Sequence, residues 1–183
     1  IMVCDVLKTT KGGENEYDVR VNQLAPVLTK SPVASSDATD DINVEDPVHI
    51  PEMWYSGGYL NMQVIIPFKS GSDVKHMINL VYRTNADGAY VFDIRHNAFG
   101  DTIKENSSDK MILGGSYVSF PITGIVSQDS AKFIITWKWY ETTADGYGWT
   151  KTEKEYKVEY EWKREGFEQV PQTLVMRSVG EIR

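Results

Sequence analysis

The sequence predicts an all-β protein built mainly around one antiparallel β-sandwich. Apolar residues alternate by two in segment after segment, the pattern of half-buried strands. The three-and-four spacing of an amphipathic helix is almost absent. The alternating segments are rich in Val, Ile, Tyr, Phe and Trp and are separated by Gly, Asn, Asp and Pro, residues that favour turns over strands. With 183 residues the chain is long enough for one good core and a small appendage. A hydrophobic fraction of 41% with 25% charged residues belongs to a folded chain.

In chain order, candidate strands lie at about 1–8, 17–23, 59–68, 75–83, 89–96, 117–122, 132–141 and 154–162. The fourth and fifth form a hairpin if Thr84 to Gly88 make a five-residue loop. That register sets Tyr82 opposite Tyr90, Leu80 opposite Phe92, Ile78 opposite Ile94 and His76 opposite His96. The other face then pairs Val81 with Val91, Asn79 with Asp93 and Met77 with Arg95, a mixed surface expected to be half solvated. The last two strands form a second hairpin. On its return strand Tyr156, Val158, Tyr160 and Trp162 face one way and Glu155, Lys157, Glu159 and Glu161 the other, as in a sheet with one wet face. The connection from Thr142 to Lys151 is long for a hairpin and carries Tyr147 and Trp149.

The stretch Ser31 to Asp46 has the composition of a solvated linker, with Ser31-Pro32, Ser35-Ser36 and the acids Asp37, Asp40, Asp41, Glu45 and Asp46. It divides a unit at 1–33 from a linker at 34–46 and a sandwich at 47–183. The N-terminal unit is too short to bury a core alone.

A formal net charge of -7 and a pI near 5.0 repel phosphate backbones and anionic lipid surfaces, so no nucleic-acid partner is expected. Lys and Arg alternate with acids, as in Lys151-Thr152-Glu153-Lys154-Glu155, and form no basic stripe. The single cysteine, Cys4, excludes an internal disulfide framework and a CxxC zinc site. Met2 and Val3 are too large for a lipid-attachment box, so Cys4 is expected to pack as a small hydrophobe. No signal peptide and no apolar run of ~18 residues is present, so membrane contact is expected only through an N-terminal lipid anchor outside this chain.

The strings Tyr59-Leu60-Asn61-Met62, Lys75-His76-Met77-Ile78-Asn79-Leu80-Val81, Ile94-Arg95-His96-Asn97-Ala98-Phe99-Gly100-Asp101 and Gly124-Ile125-Val126-Ser127 resemble the NigD-like family of predicted lipoproteins from Bacteroides-type bacteria. The resemblance covers about 45–183 as that family's C-terminal β-sandwich. Tyr17-Asp18-Val19-Arg20-Val21-Asn22 through Val27-Leu28-Thr29-Lys30 is similar to the end of its N-terminal OB-type barrel, which makes 1–33 the remnant of such a barrel. The resemblance implies an exported protein of the periplasm or cell surface, anchored at the outer membrane, with no established activity. It points to a binding protein with a protein partner, to a carbohydrate-binding module as an alternative, and to a bacteriocin-immunity role as another.

Several residues are candidates for function. His76 and His96, brought together across the hairpin, suit a pH switch or a weak metal pair, since imidazole titrates near pH 6.5. Two ligands do not make a metal site, and a third, such as Asp101 or Asp93, would be needed. The plainer alternative has both rings finishing the core through backbone hydrogen bonds. Asn97, Gly100 and Asp101 suit a structural turn. Tyr147 and Trp149 suit stacking on a sugar ring or insertion into a partner, against the plainer alternative of a loop folded back on the sandwich. Asp101-Thr102-Ile103 and Asp129-Ser130-Ala131 are similar to a bacterial O-glycan acceptor, which makes Thr102 and Ser130 candidate glycan sites in exposed loops. No Gly-x-Ser-x-Gly elbow, phosphate-binding Gly-x-x-x-x-Gly-Lys or His-Glu-x-x-His occurs. No catalysis, cofactor or metal is therefore expected.

Overall fold

The computed structural model describes residues 2–9, 17–102, 111–143, 148–163 and 173–175. These are strands and turns, and among the described residues no helix is long and apolar enough to cross a membrane. The strands are β1 (Met2–Thr9), β2 (Tyr17–Leu24), β3 (Leu28–Thr29), β4 (Val33–Ala34), β5 (His49–Ser56), β6 (Tyr59–Lys69), β7 (Met77–Thr84), β8 (Tyr90–Asn97), β9 (Met111–Pro121), β10 (Ser130–Thr142), β11 (Trp149–Lys163) and β12 (Thr173–Val175).

β1 and β2 form a two-stranded ribbon of their own. The remaining strands make two five-stranded sheets, ordered β11-β10-β8-β7-β4 and β12-β5-β6-β9-β3. Alternate residues of both sheets bury their side chains in one core, including Leu60, Met62, Val118 and Phe120 from one sheet and Leu80, Phe92, Phe133, Ile135 and Trp139 from the other. This is the sandwich the alternation predicts. Most pairings are antiparallel, but β8 with β10, β3 with β9 and β4 with β7 run parallel.

The last two of these pairs involve β3, just before the stretch the sequence presents as linker, and β4, at its start. β3 joins one sheet and β4 the other, so residues 28–34 lace the two sheets together along one edge. The acidic segment that follows is also tied down. Asn97 Nδ2 donates to the Asp41 carbonyl at 2.8 Å, and Glu45 binds both Arg95 and Lys138. Residues 45–48 then wedge between β8 and β10, with Asp46 N–H bonded to His96 O at 2.9 Å and Val48 N–H to Lys138 O at 2.8 Å. The segment expected as a solvated linker keeps Asp37, Asp40, Asp41 and Glu45 exposed, but it lies along the sheet as a strap, in which Glu45 pairs with Arg95 and Lys138. Charge composition shows that a segment is polar, not whether its charges meet partners. Asn79, Val81, Val91 and Asp93, expected to be half solvated, are buried, with Lys30 Nζ donating to Asn79 Oδ1 at 2.5 Å and Asp93 held by Arg83 and Thr136.

The β7–β8 hairpin is shifted by two residues from the expected register. Thr84 faces Tyr90, Tyr82 faces Phe92, Leu80 faces Ile94 and Ile78 faces His96, so the loop is 85–89. Asn85 sets it, accepting through Oδ1 from Asp87 N–H and Ala89 N–H at 3.1 and 2.9 Å, as an Asx turn does. A shift of two keeps every side chain on its expected face. The β10–β11 hairpin has the expected faces: Trp162 is buried, Tyr156, Val158 and Tyr160 are half-buried, and Glu155, Lys157, Glu159 and Glu161 are exposed.

Candidate functional site

The end of β8 carries a group of buried polar side chains that includes His96, Asn97 and Asp101. His76 lies one residue before β7, His96 within β8, and Asp101 just past the turn that follows β8. The register shift places Ile78 rather than His76 directly opposite His96, yet the two rings meet on the diagonal, 5.0 Å between centroids. Their nitrogens form a chain. Asp101 Oδ2 lies 3.1 Å from His76 Nε2, His76 Nδ1 lies 2.9 Å from His96 Nε2, and His96 Nδ1 donates to the Pro47 carbonyl at 2.8 Å. The side chains of His76 and Asp101 are only 4% and 2% exposed.

Every ring nitrogen in this chain is engaged, so the histidine pair, as folded, offers no lone pair to a metal or a substrate. Among the described residues no group of three or more His, Cys, Asp and Glu side chains is arranged to hold a metal ion. Burial drives the His96 pKa down to about 4 against the hydrogen bond to the Pro47 carbonyl, so this ring is neutral at physiological pH. Burial also opposes ionisation of Asp101, but hydrogen bonds from Ser72, His76 and the Lys69 N–H outweigh it and hold the carboxyl below its ordinary value.

Asp101 also shapes the backbone beside it. Its N–H closes a turn onto Ala98 O at 2.9 Å, and both central residues have positive φ, Phe99 at 49° and Gly100 at 81°. Gly is at home there, whereas Phe in the left-handed region is strained. Phe99 N–H is held by Asn97 Oδ1 at 2.8 Å and Ala98 N–H by Asp46 Oδ2 at 2.7 Å. Lys69 anchors the opposite side, its backbone N–H on Asp101 Oδ1 at 3.1 Å and its ammonium on Gly100 O at 3.3 Å. The result is a rigid corner that holds the Phe99 ring 53% exposed, beside a surface cavity of about 330 Å³ lined by Lys69, Ser72, Val74, Phe99 and Asp101 among others.

The other candidates lie elsewhere. Trp149 opens β11 half-buried, its ring 5.2 Å from His49 and 5.3 Å from Trp139. His49 stacks on Trp139 at 5.3 Å, and burial pushes its pKa down to about 4. Tyr147 lies outside the described residues. Thr102 is half-buried rather than in an exposed loop, and Ser130 is exposed but is the first residue of β10, paired with Lys163. Sequence reasoning missed Phe99 as a presented side chain and His49 as a buried one. The Asn97-Ala98-Phe99-Gly100-Asp101 string does signal a turn, but it leaves open which residues take positive φ.

The NigD-like C-terminal beta sandwich domain family matches residues 31–160. Among solved structures, a NigD-like immunity protein from Bacteroides caccae is similar at a TM-score of 0.64 and 18% identity, over 90% of this chain and 75% of that one. A candidate toxin-related protein from Parabacteroides distasonis gives 0.55 and 22%, over 87% and 70%. A candidate lipoprotein from Bacteroides fragilis gives 0.54 and 12%, over 90% and 81%. At these identities the likeness is one of fold. No curated protein matches the chain.

Proposed function

The chain belongs to the NigD-like family, whose C-terminal sandwich spans most of it, and from that premise we propose that it is a non-enzymatic cell-envelope protein that binds a protein partner through the Phe99 corner. The observation that carries this reading is an aromatic ring held exposed by a strained turn pinned by hydrogen bonds at Ala98, Phe99, Gly100 and Asp101. Strain of this kind costs about 1–3 kcal/mol, persists only where the surroundings hold it in place, and clusters at functional sites. Rigid aromatics are the side chains that dominate protein interfaces, because they bury much area at low entropy cost. With every ring nitrogen of the buried histidines engaged, this pair is not set up to act as a general base. The name of the Bacteroides fragilis relative, a candidate lipoprotein, supports an exported protein, and that of the Bacteroides caccae relative, a NigD-like immunity protein, supports an immunity-type role.

The test is retention of envelope proteins from a Bacteroides-type bacterium on the immobilised chain. Phe99→Gly keeps the turn, removes the ring and relieves the strain. It is expected to lower retention of the specific partner by roughly 30-fold, the effect of losing about 2 kcal/mol at a hot spot, while raising folding stability by about 1 kcal/mol. Tyr59→Ser, at an exposed tyrosine on β6, serves as control and is expected to change neither. Equal retention by all three proteins overturns the reading.

A further inference from the structure

The hydrogen-bond chain beneath the corner has a proton count that neutral histidines do not meet. Three bonds join Asp101 Oδ2, His76, His96 and Pro47 O in a row, and each bond needs one proton. Both ends are acceptors, since a carbonyl and an ionised carboxylate have no proton to give. Two neutral imidazoles bring one N–H each, which leaves one bond without a proton. The native chain therefore holds a third proton, and with it the group of Asp101, His76 and His96 is electrically neutral wherever that proton sits. Without it, two lone pairs face each other across about 3 Å among side chains that are almost wholly buried, where an unmade hydrogen bond is expensive.

We propose that Asp101, His76 and His96 form a one-proton latch that sets the conformation of the Phe99 corner. Asp101 is the link, because its side chain takes part in the chain while its N–H closes the Phe99 turn. With the third proton in place the carboxylate is pinned between His76 and the Lys69 N–H. When that proton leaves to a base in solvent, the bond between Asp101 and His76 is lost and the turn loosens. The other charges facing the group are Asp46, whose Oδ2 takes Ala98 N–H and whose field favours retaining the proton, and Lys69, whose ammonium lies on Gly100 O. His96 is the neutral ring of the pair, its pKa pushed down to about 4 by burial, which assigns the third proton to the bond between His76 and Asp101. The regulatory consequence, partner binding that follows the latch proton, rests on the reading of Phe99 as the contact. The latch itself is tested without any partner.

Asp101→Asn is the decisive variant. The amide can accept from the Lys69 N–H through its oxygen and donate to neutral His76 Nε2 through its nitrogen, supplying the third proton permanently. The experiment follows ring nitrogens and backbone amides by NMR of the isotopically labelled full chain from about pH 5 to 10. In the wild type, the His76 ring and the amides of Phe99 and Gly100 are expected to shift together in one titration, with His96 protonated on Nδ1 throughout. In Asp101→Asn the corner amides are expected to hold the latched position across the range. A wild-type corner that does not titrate, or that titrates out of step with His76, overturns the proposal even if the variant fails to fold. So does an unchanged corner titration in Asp101→Asn. Loss of partner retention in Phe99→Gly, or its absence, bears only on the binding reading.

Discussion

The β1–β2 ribbon and the β10–β11 hairpin follow the same alternating rule and end in opposite situations. In the hairpin, the apolar face of β11 turns inward, and Trp162 packs against Phe133 at 5.4 Å and edge-on to Tyr55 of the facing sheet. In the ribbon, Met2 pairs with Leu24, Cys4 with Val21 and Val6 with Val19, so one face is apolar by the same logic. Met2, Val6, Val19, Val21 and Leu24 are nevertheless exposed. Alternation makes a strand and chooses its faces, but burial needs a second sheet on the apolar side. A two-stranded ribbon is marginal by itself, whereas each sandwich strand is stabilised from across the core at about 25 cal/mol for each Å² of apolar surface buried.

Substitutions on the two sides break this comparison if it is wrong. The largest effect is expected at Trp139, buried to 1% exposure among His49, Tyr140 and Trp149. Trp139→Ala should cost about 3–5 kcal/mol in urea unfolding, and a loss below ~1 kcal/mol would mean that this end of the sandwich is loosely packed.

Acid should act next, and only on the sandwich, because the chain's three histidines are His49, His76 and His96, none of them in the ribbon. His49 and His96 have folded pKa values near 4 against an ordinary 6.5, both through burial. Between those values each of these two rings binds more protons in the unfolded chain than in the folded one, so their contribution to stability is full above 6.5 and falls on acidification toward 4, by on the order of 3 kcal/mol per ring. Urea midpoints compared at pH 7 and 4.5 measure the slope. His49→Phe, which keeps the stack on Trp139, should remove about half of it, and an undiminished slope would locate the acid sensitivity elsewhere.

The smallest effect is expected on the ribbon. Val21→Thr replaces an exposed apolar side chain by a polar one of similar shape and equal strand preference. It should change unfolding by no more than about 0.5 kcal/mol. A larger loss would show that something covers that face in solution.

Much of the corner was legible before any coordinates. The His76 and His96 pairing followed from alternation, since an error of two residues in register leaves both rings on one face. Asp101 was one of two carboxylates, with Asp93, that the sequence offered as a third group beside them. Phe99 was not, because the positive φ it adopts follows from the anchoring of Asn97 by Asp41, Ala98 by Asp46 and Asp101 by Lys69, residues far away in the chain. Trp149, by contrast, sits on a Gly-rich loop in sequence and against two core rings in space.

By itself the sequence determined the all-β class, most of the strands, their inner and outer faces and the family, because a period of two is a local property of neighbouring side chains. It also carried the second hairpin, whose faces depend only on that period. The tertiary structure decided the rest. It turned the acidic segment before β5 into a strap, laced residues 28–34 between two sheets, buried the polar outer face of β7 and β8, and joined two histidines and a carboxylate into one proton-bearing chain. Each of these depends on groups distant in sequence meeting at hydrogen-bond distance, and a polar residue's character does not specify its partner.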